Sequence, residues 1–383
     1  MSAIVNHAAL VQGAQSRLPT EVINYVGFNQ DHGCFAVGTS HGFRVFNTYP
    51  FKDTFFREFD GGIGIVELLY RTNIIALVGG GDKPKWPTNK VMLWDDSAMK
   101  VIGEFNFKTE VKAVKLRKDK IVVVLENKIY VYNFHTRELE VKYDTISNPK
   151  GLCAINGSKD MFVLAVPSNK NGEIQVTHFD QNNKTFLVQS HLGDVTAVAL
   201  NHEGTLLATA SNKGLVIRIF GADNGQLIQE LRRGTDRADI FSLTFDLVSK
   251  YLGVSSDKGT VHLFTVRKDV SLEAMTTKQL SIASNQAITP IPQPGQAALQ
   301  QVVAQPAAGQ QPIIAEVPEQ KEGLSQNPKS MFSFLKVFFP RYFSSEWSFA
   351  QFRIQDGNYY MAEIDEREGG ECKMIKHRLL VKE

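Results

Sequence analysis

Two adjacent arginines, Arg232 and Arg233, sit in the stretch Gln229-Glu230-Leu231-Arg232-Arg233-Gly234-Thr235-Asp236. A guanidinium is a permanent cation whose planar fork of N–H groups matches phosphate oxygens. Successive side chains of an extended segment leave on opposite faces, so the pair is expected to serve two clefts, one guanidinium to each. A bare Arg-Arg dipeptide is an ordinary solvated feature. Its setting argues for more. Polar and basic residues gather at equivalent turns on both sides, His191 and Ser211-Asn212-Lys213-Gly214 before the pair, Ser255-Ser256-Asp257-Lys258-Gly259-Thr260 after it. Each cleft would then hold one guanidinium, one lysine and small hydroxyl donors, an inventory suited to a phosphorylated sugar alcohol. Hairpin turns favour the same residue types, so the duplication carries the argument.

Other chemistries find little support. Cys34, Cys153 and Cys372 are widely spaced and form no C-x-x-C, which excludes a disulfide framework and a cysteine zinc site and suggests a reducing compartment. Gly79-Gly80-Gly81-Asp82-Lys83-Pro84 lacks the G-K-[ST] and helix start of a phosphate loop and reads as a strand connection. No Gly-x-Ser-x-Gly elbow or matched carboxylate pair proposes a reaction, so no catalytic residue, metal or cofactor is expected. Asp236 and Asp257 read as turn formers or as orienters of the neighbouring cations. With a net charge of +2 the chain is no polycation, which argues against nucleic acid and leaves anion recognition to local placement. The amino terminus carries no secretory pattern, and no window reaches the roughly 18 apolar residues of a membrane-spanning helix.

The elements that must position the arginines come from a repeat. A turn residue followed by an alternating strand recurs at Gly42, Asn89, Asn127, Gly172, Gly214 and Gly259, at intervals of 47, 38, 45, 42 and 45 residues. A four-stranded propeller blade has a period of roughly 40–45 residues. A second apolar strand precedes each, as in Ile121-Val122-Val123-Val124-Leu125, and helical periodicity is nearly absent. Short β-branched runs broken by Gly, Asn and Asp predict an all-β chain that shields its strand edges by radial repetition. Six repeats are clear, and a seventh must come from the two chain ends.

After Val270 the composition changes. Through Ser330 there is no aromatic residue, and seven of the fourteen prolines fall there, among Gln, Ala and Ser, which predicts a disordered insertion. The dense aromatic block Met331–Phe343 follows. It is too short to span a bilayer and suits shallow insertion into a membrane interface, a partner groove, or burial at a propeller edge. Trp347–Ile354 then alternates as a strand.

With these residues laid out, the run from His191 to Phe264 resembles the PROPPIN family, seven-bladed phosphoinositide-binding propellers of autophagy. The resemblance rests on Leu206-Leu207-Ala208-Thr209-Ala210-Ser211 with Ile217-Arg218-Ile219-Phe220, on Leu231-Arg232-Arg233-Gly234, and on Ser255-Ser256-Asp257-Lys258-Gly259-Thr260-Val261-His262. Gly27–Phe35, Leu77–Gly81, Val111–Leu116 and Tyr342–Ser345 extend it over most of the chain outside the insertion. It implies a non-enzymatic, WIPI-type effector that binds phosphatidylinositol 3-phosphate and the 3,5-bisphosphate on autophagic and endosomal membranes. By position the first site would use His191, Ser211, Lys213 and Arg232, and the second Arg233, Ser242, Ser256, Lys258, Thr260 and His262. Phe332, Phe334, Leu335, Phe338 and Phe339 would enter the membrane, and Asn29 and Asp31 would contact a lipid-transfer partner. A cytoplasmic monomer, peripheral on preautophagosomal membranes, is expected.

The expected organisation is propeller blades one to six over residues 1–268, the insertion over 269–330, the hydrophobic loop over 331–346, and the end of blade six with part of blade seven over 347–383. Two departures stand out. Lys213-Gly214-Leu215 replaces the family's Lys-Gly-Thr, one hydroxyl fewer. Phe352-Arg353-Ile354-Gln355 runs almost directly into Asp356-Gly357-Asn358, so the seventh blade reads as incomplete and would need a strand near Ala9-Leu10-Val11 to close. The competing function is a protein-interaction propeller that never touches lipid.

Overall fold

The computed structural model of the protein describes residues 21–267, 314–315, 327, 345–353, 358–366 and 372–380. The aromatic block expected to enter the membrane, and nearly all of the insertion, lie outside these residues, as does the segment near Ala9-Leu10-Val11. Among the described residues the chain makes a β-propeller of six antiparallel blades, each of four strands except blade five, to which Glu346–Trp347 adds a short parallel fifth. Blade one covers residues 23–58, blade two 63–106, blade three 111–144, blade four 154–189 and blade five 195–232. Blade six takes three strands from 240–265, and its fourth, Ala350–Arg353, pairs with Thr260–Thr265 from beyond the insertion. A separate three-stranded sheet joins Ile314–Ala315, Cys372–Leu380 and Asn358–Glu366.

The strand patterns follow from where each strand lies. Second strands such as Ile74–Gly79 and Lys120–Leu125 read as almost continuous apolar runs because a neighbouring blade covers each face. Outer strands such as Leu139–Asp144 have a solvated edge and alternate between exposed and half-buried. Five apolar cores lie between successive blades, one and two, two and three, three and four, four and five, and five and six. Two smaller clusters belong to one blade each. Ile23, Phe35, Val37 and Phe46 lie in blade one, and Tyr251, Val261 and Leu263 lie in blade six under Phe349, Ala350 and Phe352.

The triple glycine is a strand end and connection, as expected. A Cβ on Gly79 would lie 1.8 Å from the Trp86 carbonyl, so only glycine lets the following loop pack this closely. That loop then bonds back, Gly62 N donating to Lys83 O and Lys85 N to Gly62 O.

The innermost strands of all six blades surround a cavity of about 260 Å³. On its wall Lys115 Nζ lies 3.3 Å from Glu67 Oε2. Burial, opposed by Lys115, raises the Glu67 pKa, and burial pushes the neighbouring Cys153 thiol up to about 12, which leaves it unreactive at neutral pH. Asn29 borders this cavity and is 2% exposed. Its Oδ1 accepts from Cys34 N and its Nδ2 donates to Tyr70 O. The side-chain amide of Asn29, expected to contact a partner, is thus engaged within the turn. Asn156, Asn201 and Asp246 accept from Val163, Leu206 and Tyr251 in the same way. Asp31 is exposed.

Candidate functional site

Arg232 ends the outer strand Leu227–Arg232 of blade five, and Arg233 follows it. Strand parity assigns their faces. Gln229 Nε2 donates to Thr265 O in blade six, so 229, 231 and 233 face blade six. Glu230 pairs with Arg218 at 2.9 Å, and Arg218 Nη1 donates to Ser190 O at the end of blade four, so 230 and 232 face blade four. The two guanidiniums accordingly have different partners. Arg232 Nε donates to Ser345 Oγ at 3.1 Å. Arg233 Nε donates to Gly214 O at 2.9 Å and its Nη2 to Asp236 O. Both side chains are largely buried, Arg232 at 7% and Arg233 at 5% exposure.

On the blade-four side, Thr209 pairs with Arg218 and Arg218 with Glu230, and the Ser211 end of the strand continues this face toward Val216 and Arg232. His191 is buried beside this face, its Nε2 sharing a 3.0 Å hydrogen bond with Thr209 Oγ1. Burial, followed by the Arg218 charge, lowers the His191 pKa to about 4. The structure thus brings His191, Ser211 and Arg232 to one face of blade five, with Lys213 exposed on the adjoining turn. Sequence reasoning missed Arg218, whose signal was its place opposite Glu230 in a strand pair.

On the blade-six side, His262 and Phe264 face the core shared with blade five. Val254 pairs with His262, which sets Ser256 and Thr260 on the same face. Burial, followed by the Arg233 charge, lowers His262 to about 4. Burial lowers Arg233 as well, opposed by Asp257 and Asp236. Lys258 is exposed and pairs with Asp257 at 2.9 Å. Arg233, Ser256, Thr260 and His262 therefore converge between blades five and six. Ser242 does not join them. A bulge between Ile240 and Ser242 inserts one residue and reverses the alternation. Ser242 Oγ instead meets Thr244 Oγ1 at 3.1 Å, on the face turned away from blade five.

Hydrogen bonds join the turns carrying these residues. Asn212 Nδ2 donates to Asp194, Arg237 Nε donates to Asn212 O, Ala238 N to Lys213 O, and Asp239 N to Asp257 Oδ1. Gly214 is fixed by this arrangement. Its φ is +61°, and a Cβ there would fall 1.9 Å from Ala238 O. Ser345 and Ser348, which touch Arg232 and His262, come from more than 80 residues further along the chain and gave no local signal.

A family model described as PROPPIN matches residues 22–278. Autophagy-related protein 18e of Arabidopsis thaliana is 32% identical over 377 residues, covering 92% of this chain and 86% of that protein. SVP1-like protein 2 of Neurospora crassa is 38% identical over 253 residues, 66% of this chain, and the match spans 58% of that relative's length. Among solved structures, Hsv2 of Kluyveromyces marxianus is 28% identical with a TM-score of 0.57, over 64% of this chain and 77% of that one. The complex of KlAtg21 with the coiled coil of AgAtg16 matches at 25% identity and a TM-score of 0.57, over 64% of this chain and 81% of that one.

Proposed function

This chain belongs to the PROPPIN family, and on that premise we propose that it is a non-enzymatic effector binding phosphatidylinositol 3-phosphate and the 3,5-bisphosphate through two clefts. The observation that carries the reading is the divergence of Arg232 and Arg233 to different partners on opposite faces, with buried His191 beside Arg218 on the Arg232 face and buried His262 beside Arg233. His191, Ser211, Lys213 and Arg232 would take one head group. Arg233, Ser256, Lys258, Thr260 and His262 would take the other. Each phosphate replaces water with charge-assisted hydrogen bonds worth about 1.5–3 kcal/mol apiece. Phe332, Phe334, Leu335, Phe338 and Phe339 would add shallow insertion, so that two modest attachments act together on autophagic and endosomal membranes. Among the described residues no helix is long and apolar enough to cross a membrane.

The one-sided clusters of blades one and six support a seventh blade seated between them, built from the chain ends. Autophagy-related relatives support the cellular role, and the KlAtg21 complex with a coiled coil supports partner recruitment. A lipid-transfer protein is the partner proposed here, with Asp31 as a contact.

The test is co-sedimentation with vesicles carrying phosphatidylinositol 3-phosphate, comparing wild type with folded Arg232→Thr/Arg233→Thr. Losing two charge-assisted contacts weakens binding on the order of 100-fold. A folded wild type indifferent to the lipid would instead favour the protein-interaction reading.

A further inference from the structure

The fourth strand of blade six returns across an 85-residue separation, from Thr265 to Ala350, and its arrival is heavily fastened. Glu346 and Trp347 first lie parallel to Leu231 and Arg232, adding a short fifth strand to blade five. Glu346 is 7% exposed. A carboxylate this buried needs compensation. It accepts from Gln229 Nε2 at 2.7 Å and Asn327 Nδ2 at 3.0 Å, and it pairs with Arg267. Asn327 Oδ1 accepts from Thr265 N and its Nδ2 donates to Thr265 O, so one side-chain amide satisfies both main-chain groups of that residue. Gln229 Oε1 accepts from Arg267 N. Four polar side chains from four separate stretches of chain thus close on one point between blades five and six. The segment they hold carries two hydroxyls to the clefts, Ser345 Oγ to Arg232 Nε at 3.1 Å and Ser348 Oγ to His262 Nδ1 at 3.1 Å.

We propose that Gln229, Arg267, Asn327 and Glu346 form a clamp whose task is to hold Ser345 and Ser348 as positioning residues for the two phosphate-binding clefts. The inference rests on the phosphoinositide reading and deepens it. Fixing Arg232 through Nε sets the plane of its guanidinium before a phosphate arrives, and a pre-set fork loses less freedom on binding. Ser348 orients the His262 ring in the same manner. One segment therefore sets the geometry of both clefts.

The experiment titrates the full-length protein with inositol 1,3-bisphosphate, the soluble head group of phosphatidylinositol 3-phosphate, by calorimetry, with Tm recorded for every variant. Ser345→Ala is expected to weaken head-group binding about 5-fold, the scale of one hydrogen bond, at unchanged Tm. Ser345→Thr keeps the hydroxyl and is expected to restore affinity to within about 2-fold of wild type. Asn327→Ala, two steps removed from Arg232, is expected to weaken binding in the same direction. Wild-type affinity in Ser345→Ala, or no restoration in Ser345→Thr, overturns the positioning role while the phosphoinositide reading stands. A wild type that binds neither this head group nor the lipid vesicles overturns the reading itself, and the inference with it.

Discussion

His191 and His262 are each buried beside a guanidinium, and both titrate near 4 instead of the ordinary 6.5. The unfolded chain therefore holds more protons than the native one between pH 6.5 and 4, and acidification across that window favours unfolding. The Tm is expected to fall as pH drops from 7 to 4.5, and to fall less steeply in His191→Gln/His262→Gln. An identical slope in wild type and variant would show that neither ring stays neutral in the folded protein. At this scale the sequence was partly legible. Arg232 and Arg233 diverge as strand parity dictates. Ser242 lies away from the other second-cleft residues because parity holds only until a bulge, and the bulge residue Phe241 carries no marker. The turn role of Asn29 was not legible, because an Asx turn and a surface contact call for the same side chain.

At the scale of the element, turns and connections decide the site. Gly214 combines a left-handed φ with a neighbouring carbonyl, and its own carbonyl receives Arg233. Gly214→Ala is expected to destabilise the protein by about 1–3 kcal/mol and to disturb the second cleft, measured as a lower denaturant midpoint together with weaker vesicle binding. The connection between the third and fourth strands of blade six is expected to behave in the opposite way. Arg267 and Asn327 both meet the Thr265–Gln229 cluster, so the two ends of residues 268–326 already lie together. Closing a loop costs only (3/2)RT ln n, so a tenfold shortening removes about 2 kcal/mol of closure entropy. Replacing 270–312 with six Gly and Ser residues, which leaves the paired strand Ile314–Ala315 in place, should leave vesicle binding within about 2-fold and the Tm equal or higher. A collapse in Tm would show that this stretch packs on the propeller. The six blade periods were visible in sequence because turn glycines and apolar strands repeat. The clamp was not, since its four residues share no spacing.

Across the whole molecule, stability is a chain of pairwise cores, each linking one blade to the next. Leu77 is fully buried in the core between blades one and two. Leu77→Ala should cost about 2–5 kcal/mol in denaturant unfolding, because the rigid flanking strands cannot collapse into the space. If residues 358–380 seat between the one-sided clusters of blades one and six, truncation after Arg353 should lower the Tm by at least about 5 °C. An unchanged Tm would place that sheet outside the ring.

The late return of Ala350–Arg353 to blade six also orders events in time. A ribosome adds roughly 5–20 residues each second, so blades one to five can close while the insertion is still being made. Thr260–Thr265 must then wait about 4 to 17 seconds for its partner across those 85 residues. During that interval its open edge and the cleft behind it are unfinished. The nascent chain therefore passes through a state that is nearly all propeller yet still lacks Ser345 and Ser348, and it gains the hydroxyl partners of Arg232 and His262 at the same moment.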